Sequence, residues 1–195
     1  MDKKQKQKES KIIESALEMF SKKGFYCTTV AQIAKNIGMS VGHFYNFFPS
    51  KNSLAKASIT FVTKRLADEL HKINEMDIPS REKIVLFVAS YLEFLEKNPQ
   101  MIDYFFKVYL ANREMFTEDG DNGFILAKAF IDEVQRLIDD GVEKGEFAQK
   151  NFYVSFSCIT GILGGITFLN GENVLESSVQ SYKDELATSI VKALE

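Results

Sequence analysis

The sequence predicts an all-α protein, with a small three-helix head joined to a larger helical domain and about nine helices in all. Its 195 residues include only three prolines and 11 glycines, which is few for the many turns of an all-β fold. Apolar residues recur every three or four positions along most of the chain, the period of a helix with one buried face. We divide the chain into residues 1–50 and residues 51–195.

Glycine, proline and hydroxyl residues delimit the predicted helices. Gly24 caps the end of the first helix, Thr28 or Thr29 starts the next, and Pro49 and Ser50 precede a long helix. A glycine-containing loop is predicted at residues 117–123. Outside the head's second and third helices, these signals place helices at about residues 5–23, 51–76, 80–97, 124–144, 152–169 and 174–194.

Residues 28–51 read TTVAQIAKNIGMSVGHFYNFFPSK and contain two short apolar stripes separated by Gly38. The stripes consist of Val30, Ile33, Ala34 and Ile37, then Val41, Phe44 and Phe48. Two short helices joined by a glycine turn form a helix-turn-helix, here at about residues 29–48, whose second helix enters a DNA major groove. Small and polar residues on the outer side of the second helix have no obvious role in the core and are expected to contact DNA: Ser40, Val41, Gly42, His43 and Asn46.

Charge is distributed unevenly between the two parts of the chain. Residues 1–51 contain nine Lys/Arg and four Asp/Glu, a net charge of +5, whereas the remainder contains 15 and 23, a net charge of −8. A basic head on an acidic body is typical of a protein that binds DNA through the head. A solvated lysine-rich terminus would explain residues 3–8 equally well.

The amino-terminal pattern closely resembles the DNA-binding domain of the tetracycline-repressor (TetR) family of bacterial transcriptional regulators. The matching positions are Ile13, Ala16, Leu17, Phe20, Gly24, Thr28, Thr29, Val30, Ile33, Ala34, Gly38, Met39, Ser40, Gly42, Phe44, Tyr45, Phe48, Ser50, Lys51 and Leu54. Asn46 and Phe47 depart from the residues common in that family. The resemblance implies a homodimeric repressor with a ligand-binding regulatory domain, and it implies phosphate contacts by Tyr45 and Lys51. Thr29 is expected both to cap its helix and to receive a phosphate there.

The larger domain is rich in aromatic residues. Through the resemblance, the residues proposed to bind a small apolar effector are Phe87, Tyr91, Phe105, Phe106 and Tyr109. The alternative is that these side chains fill a solid core. The predicted helix at 152–169 is apolar on all sides, so we expect the last two helices to form a homodimer, with Gly161, Gly164 and Gly165 allowing close approach. The alternative is that these glycines pack within one chain.

Other classes of protein are disfavoured. The two histidines, His43 and His71, belong to no catalytic or metal-ligand motif, so we expect no enzyme, no metal and no cofactor. Cys27 and Cys158 are too few for a disulfide framework and are expected to be buried thiols, with redox sensing as the alternative. We also expect that no apolar segment is long enough to cross a membrane. The expected location is the cytoplasm. The main alternative function is a helical small-molecule-binding protein whose helix-turn-helix is only a packing motif; salt-dependent binding to duplex DNA separates the two.

Overall fold

The structure is a computed structural model that describes residues 3–110, 114, 116 and 123–195. Within these residues the chain is helical and contains no strand, as predicted. The α-helices are α1 (Lys3–Lys23), α2 (Val30–Asn36), α3 (Val41–Tyr45), α4 (Lys51–Asn74), α5 (Ser80–Lys97), α6 (Pro99–Tyr104), α7 (Gly123–Leu126), α8 (Lys128–Glu143), α9 (Phe152–Gly171) and α10 (Lys183–Leu194). A π-helical segment, Phe105–Tyr109, continues α6, and a 3₁₀ turn, Val179–Tyr182, precedes α10.

Most predicted helix ends are confirmed. The glycine, proline and serine residues that set them act on neighbouring backbone and do not depend on distant contacts. Gly24 follows α1 with φ of 77°, and α4 begins at Lys51, where the side chains of Ser50 and Ser53 each accept the other residue's backbone N–H at 3.0–3.1 Å. Pro99 ends α5 and then occupies the first position of α6, where its missing N–H has no cost. The predicted loop at residues 117–123 lies outside the described residues, except Gly123, which begins α7.

Two predicted helices near the carboxyl end were wrong in extent. The helix at 124–144 is divided into α7 and α8, with a break at residue 127. The helix at 174–194 begins only at residue 183, after the 3₁₀ turn. Asn173 adopts a left-handed backbone (φ of 55°) after α9, and Ser178 caps the 3₁₀ turn by accepting the N–H of Gln180 at 3.3 Å.

The chain forms two compact units that alternate along the sequence. The first contains residues 1–63 and 100–127, and the second contains residues 64–99 and 128–195. The division into residues 1–50 and 51–195 therefore stays a functional prediction.

In the first unit, a buried tyrosine joins the aromatic segment to the amino-terminal helices. The Tyr104 ring stacks on Phe20 with centroids 5.7 Å apart, and its hydroxyl donates to the Ala55 carbonyl at 2.9 Å. Burial raises the pKa of the Tyr104 hydroxyl well above its ordinary value, so this group remains a donor at any physiological pH.

In the second unit, α5 packs against α8 and α10, and α9 packs against both of these helices. The Phe87 ring lies 6.0 Å from Phe130 between ring centroids, and the buried Tyr91 hydroxyl lies 2.6 Å from Thr167 Oγ1. Aromatic and aliphatic side chains therefore form the core around α5.

Helix α9 has two apolar faces of opposite exposure. One face is buried and carries Ser155, Ile159, Leu163, Ile166 and Thr167. The other includes Val154 and Phe168, which are 53% and 59% exposed. By length and composition alone this helix is capable of crossing a membrane, so the expectation that no segment reaches that length was wrong.

An ionic cluster around the buried Lys83 fixes the start of α5. Lys83, only 4% exposed, donates to the Asn74 carbonyl at 3.0 Å and to Asp140 Oδ2 at 3.1 Å. The same oxygen accepts from Ser80 Oγ at 2.8 Å and from Lys144 at 2.9 Å. Burial by itself would raise the pKa of the Asp140 carboxyl, but hydrogen bonds from Lys144, Ser80 and Lys83 outweigh it and lower the pKa to about 2.

This pKa makes the stability of the second unit dependent on pH in acid. A carboxyl with a lowered pKa contributes stability above its unfolded pKa, and that contribution disappears as pH falls towards the folded pKa. The shift from 3.8 to about 2 corresponds to about 2 kcal/mol. We expect Asp140→Asn to be less stable than Asp139→Asn, its neighbour and matched control, with a gap that narrows between pH 4 and pH 2. Urea unfolding midpoints across this range measure the gap, and a gap that stays constant to pH 2 contradicts the assignment.

Candidate nucleic-acid interface

Backbone hydrogen bonds close the turn between α2 and α3. Met39 N–H donates to the Ala34 carbonyl at 2.8 Å, and Gly38 N–H donates to the Lys35 carbonyl at 3.1 Å. This is the Schellman arrangement, which requires a left-handed residue, and Gly38 has φ of 66°. The predicted glycine turn is confirmed.

Both helices of the motif begin with a side-chain cap. Thr29 accepts the N–H of Gln32 at 3.2 Å while the Gln32 side chain accepts the N–H of Thr29 at 2.9 Å, which makes a complete capping box. Ser40 caps α3 by accepting the N–H of His43 at 3.2 Å. The start of each helix is therefore fixed by its own sequence.

Helix α3 turns Phe44 inward, with Phe48 just beyond its end, and leaves its other side chains exposed. Phe44 and Phe48 are buried, with ring centroids 6.0 Å apart. Val41 is 40% exposed and Tyr45 is 50% exposed. A Cβ added at Gly42 meets no heavy atom within 4 Å, so the surface beside it is open.

The connection between α1 and α2 is held by two side chains. Thr28, fully buried, donates through its hydroxyl to the Gly24 carbonyl at 2.9 Å. Lys51 donates to the carbonyls of Phe25 and Thr28, each at 3.0 Å, and its ammonium lies 4.2 Å from the Phe25 ring centroid. Burial lowers the pKa of the Lys51 ammonium below its ordinary value.

The structure brings the predicted DNA-binding residues to one short region. The exposed members of the set are Thr29, Ser40, Val41, Gly42, His43, Tyr45 and Asn46, whereas Lys51 is half-buried. The sequence did not reveal that Lys51 also holds the α1–α2 connection, because its two acceptors are backbone carbonyls. The assignment of all eight predicted residues to DNA contact stays a prediction.

Four predictions of buried side chains were wrong, three of them in the head. Val30 and Ile37 are half-buried rather than buried, because α2 is short and each lies at one of its ends. Cys27 is exposed in the α1–α2 connection, and Cys158, in α9, is half-buried, so neither is the buried thiol that we expected.

The predicted effector residues lie in both units. Phe87 and Tyr91 are buried in the second unit. Phe105 and Tyr109 lie in the first, with stacked rings 5.1 Å apart between centroids. The side chain of Phe106 lies outside the described part of the structure. A ligand site built from these residues stays a prediction.

The predicted dimerisation glycines lie in the middle of α9. A Cβ added at Gly161 or at Gly165 meets nothing within 4 Å in the single chain. Gly141 differs, because a Cβ there would lie 2.0 Å from the Phe147 ring. Packing within one chain therefore requires glycine at position 141 and does not require it at 161 or 165.

A capped helix-turn-helix that follows one longer helix is the architecture of a class of bacterial DNA-binding regulators. The family model of the bacterial regulatory proteins of the tetR family matches residues 12–58. This stretch, from α1 to the first turns of α4, is the part of the chain that matches the tetR family.

Curated relatives resemble mainly the amino-terminal part. The HTH-type transcriptional regulator YuxN of Bacillus subtilis (strain 168) is 45% identical over 56 residues, which cover 29% of this chain and 19% of that protein. The nucleoid occlusion factor SlmA of Aliivibrio fischeri (strain MJ11) is 30% identical over 89 residues, 45% of each chain. The chain thus spans less than half the length of these relatives.

Solved structures share the fold over nearly the whole chain. The fatty acid degradation regulator FadR of Bacillus halodurans has a TM-score of 0.78 at 17% identity, covering 95% of this chain and 99% of that one. The transcriptional regulator FadR of Bacillus subtilis, solved with stearoyl-CoA, has a TM-score of 0.76 at 14% identity, with the same coverage. At these identities the likeness shows the fold alone.

Gly38 and Gly42 form a matched pair for testing the turn. Gly38→Ala forces an L side chain into a left-handed backbone, so we expect a loss of about 1–2 kcal/mol in the free energy of unfolding. Gly42→Ala is placed in a helix with open space around it, so we expect stability to be unchanged or raised by up to about 1 kcal/mol. Urea unfolding at one fixed protein concentration measures both, and equal losses would contradict the distinction.

Proposed function

We propose that this chain is a sequence-specific DNA-binding transcriptional regulator, a cytoplasmic homodimer that represses its target until a small apolar effector releases it from a palindromic operator. The observation that carries the proposal is the outer face of α3, where exposed small and polar residues stand beside two buried phenylalanines. The net charge of +5 on residues 1–51 supports it, because phosphate contacts supply most of the affinity for duplex DNA.

The exposed residues have distinct proposed roles. Val41, Gly42 and His43 lie on the first turn of α3 and are assigned to base edges, because recognition helices read bases with their amino-terminal residues. Ser40 and Asn46, which flank α3, are assigned to further contacts in the same major groove. Thr29, Tyr45 and Lys51 are assigned to phosphates, which position the head without reading sequence. Lys51 has three N–H donors, so two bonds to carbonyls leave one for a phosphate.

The alternative is a helical small-molecule-binding protein in which the helix-turn-helix only packs. Salt-dependent binding to duplex DNA separates this alternative from the proposal, because counterion release requires phosphate contacts.

Duplex DNA selected from a random pool by the purified chain tests DNA binding. We expect log affinity to fall steeply with log salt concentration, with a slope near −0.9 per phosphate contacted. Lys51→Gln is expected to weaken binding to all sequences and to make the slope shallower by about one, whereas Tyr45→Phe weakens binding at constant slope because no charge is lost. Lys97→Gln, on the exposed surface of α5, is the control lysine. Affinity that does not depend on salt would favour the packing alternative.

Homodimerisation is proposed through α9 and α10. The exposed face of α9 carries Val154, Gly161, Gly165 and Phe168, spaced as one helical stripe without charge. An identical stripe on a second copy removes this surface from water, and the open glycines let the two helices come close. A two-fold dimer then holds two recognition helices about 34–36 Å apart, one DNA turn.

Gly165→Leu tests the dimer, with Gly171→Leu at the end of α9 as its matched control. Both positions have open space in the single chain, so both variants are expected to fold. We expect Gly165→Leu to be monomeric at micromolar concentration and to lose tight operator binding, while Gly171→Leu stays dimeric. Sedimentation velocity and circular dichroism measure assembly and folding. A monomeric unmodified chain would refute the proposal, and recovery of the chain only in detergent would indicate a membrane helix instead.

An apolar effector is proposed to act through the regulatory domain, with Phe87, Tyr91, Phe105, Phe106 and Tyr109 as its candidate contacts. The fold shared with FadR of Bacillus subtilis, solved with stearoyl-CoA, makes a long acyl chain the first chemistry to test. An effector shifts the protein away from DNA only if it binds the DNA-free conformation more tightly.

Binding of stearoyl-CoA with and without operator DNA tests induction, with free coenzyme A as the control that lacks the acyl chain. We expect stearoyl-CoA to lower operator affinity by about 5-fold to 150-fold, the usual range of allosteric coupling. Linkage then requires operator DNA to lower the affinity for stearoyl-CoA by the same factor. An acyl effector would be contradicted if stearoyl-CoA bound equally well with and without operator DNA. It would also be contradicted if free coenzyme A released the protein from the operator.

A further inference from the structure

The first turns of α1 carry a lysine stripe, defined here as Lys4, Lys8 and Lys11. Lys3 and Lys6 lie beside it, so these turns contain five lysines and one carboxylate, Glu9. The structure shows α1 extending back to Lys3 as a helix, two residues before its predicted start. All three lysines of the stripe are exposed.

The stripe is aligned with the helix-turn-helix. Positions 4, 8, 11 and 15 follow the three- and four-residue spacing of one helical row. Ser15 ends this row, and its hydroxyl accepts a hydrogen bond from Asn36 Nδ2 at 3.0 Å. Asn36 is the last residue of α2, immediately before the turn that leads to α3. The stripe therefore begins beside the motif and runs away from it along α1.

In the protein alone, the lysine stripe is electrostatically unfavourable. The first turn of α1 contains no acidic residue, and cations near a helix amino terminus oppose the helix dipole. Lys4 and Lys8, four residues apart, also repel each other. At the other end of the helix Lys22 is paired with Glu18 at 2.7 Å, so α1 does not lack such pairs in general. A polyanion bound along the stripe removes the repulsion.

We propose that the lysine stripe is a second DNA-binding surface, which contacts backbone phosphates next to the bases read by α3. This inference rests on the proposed function, because duplex DNA is then the polyanion already held beside α2 and α3. The stripe contributes affinity without sequence preference, since an ammonium on a flexible stem recognises phosphate charge rather than base edges.

The length of the stripe fits this role. Lys4, at the far end of the stripe, lies eleven residues from Ser15 beside the motif, which is a reach of roughly 16 Å along the helix at 1.5 Å per residue. Successive base pairs are about 3.4 Å apart, so the stripe extends the footprint of each head by about five base pairs. Three ammonium groups over that length match several phosphates of the nearer strand.

The test replaces the stripe while keeping the fold. Lys4→Gln, Lys8→Gln and Lys11→Gln are combined, and the matched control combines Lys64→Gln, Lys97→Gln and Lys128→Gln, which removes three exposed lysines outside the head. We expect the stripe variant to have a salt slope shallower by about 2.7 and, near 0.15 M salt, roughly 100-fold weaker binding to specific and random duplexes alike. The control is expected to keep the slope of the unmodified chain.

Two further measurements separate the possible outcomes. Shortening the duplex on either side of the half-site by five base pairs is expected to weaken the unmodified chain and to leave the stripe variant unaffected. Amide exchange in residues 3–11 is expected to slow when DNA binds, because neutralised lysines let the first turns stay helical. If the unmodified chain binds no DNA, the proposed function itself fails. If it binds and the two triple variants have equal slopes, only the second surface is refuted.

Discussion

The placement of α2 depends on the way Lys51 and Thr28 hold the connection from Gly24 to Thr29. Two carbonyls of this connection, those of Phe25 and Thr28, accept from one ammonium, and the Phe25 ring lies against the same charge. Hydrogen bonds from a charged donor contribute roughly 1.5–3 kcal/mol each. Because Lys51 is the first residue of α4 and Thr28 bonds back to Gly24, the same few atoms tie α4 to the end of α1.

This arrangement requires the geometry of a lysine. An ammonium presents three donors arranged as a tripod and can reach two carbonyls, an aromatic face and one further acceptor. Arginine carries the same charge, but its planar fork suits a bidentate partner such as a carboxylate. Structural and DNA-contacting roles for Lys51 are therefore compatible, and removing its charge disturbs both together.

The helix-turn-helix was predictable from sequence because its determinants are local. Thr29 and Gln32 cap each other, Gly38 supplies the left-handed turn, and Ser40 caps the following helix, all within twelve residues. The role of Tyr104 was not predictable in this way, because its partner is a carbonyl at residue 55. The ionic cluster around Lys83 was equally hidden, since Asp140 and Asn74 approach it only in the folded unit. Periodicity also could not show that Cys27 is exposed or that residues 174–178 are not helical, because neither depends on apolar spacing.

The hydrogen bond between Tyr91 and Thr167 has a direction that follows from its surroundings. Thr167 Oγ1 also lies 2.7 Å from the Leu163 carbonyl, which can only accept, so the single hydroxyl proton of Thr167 points there and the Tyr91 hydroxyl must be the donor of their shared bond. The two ends of this bond are consequently unequal. Loss of the tyrosine oxygen leaves Thr167 still satisfied through Leu163, whereas loss of the threonine oxygen strands a buried donor, which costs roughly 1–3 kcal/mol. Replacing Tyr91 by phenylalanine is therefore expected to cost little. Replacing Thr167 by valine beside an intact Tyr91 leaves the tyrosine hydroxyl without an acceptor and is expected to be the more destabilising change.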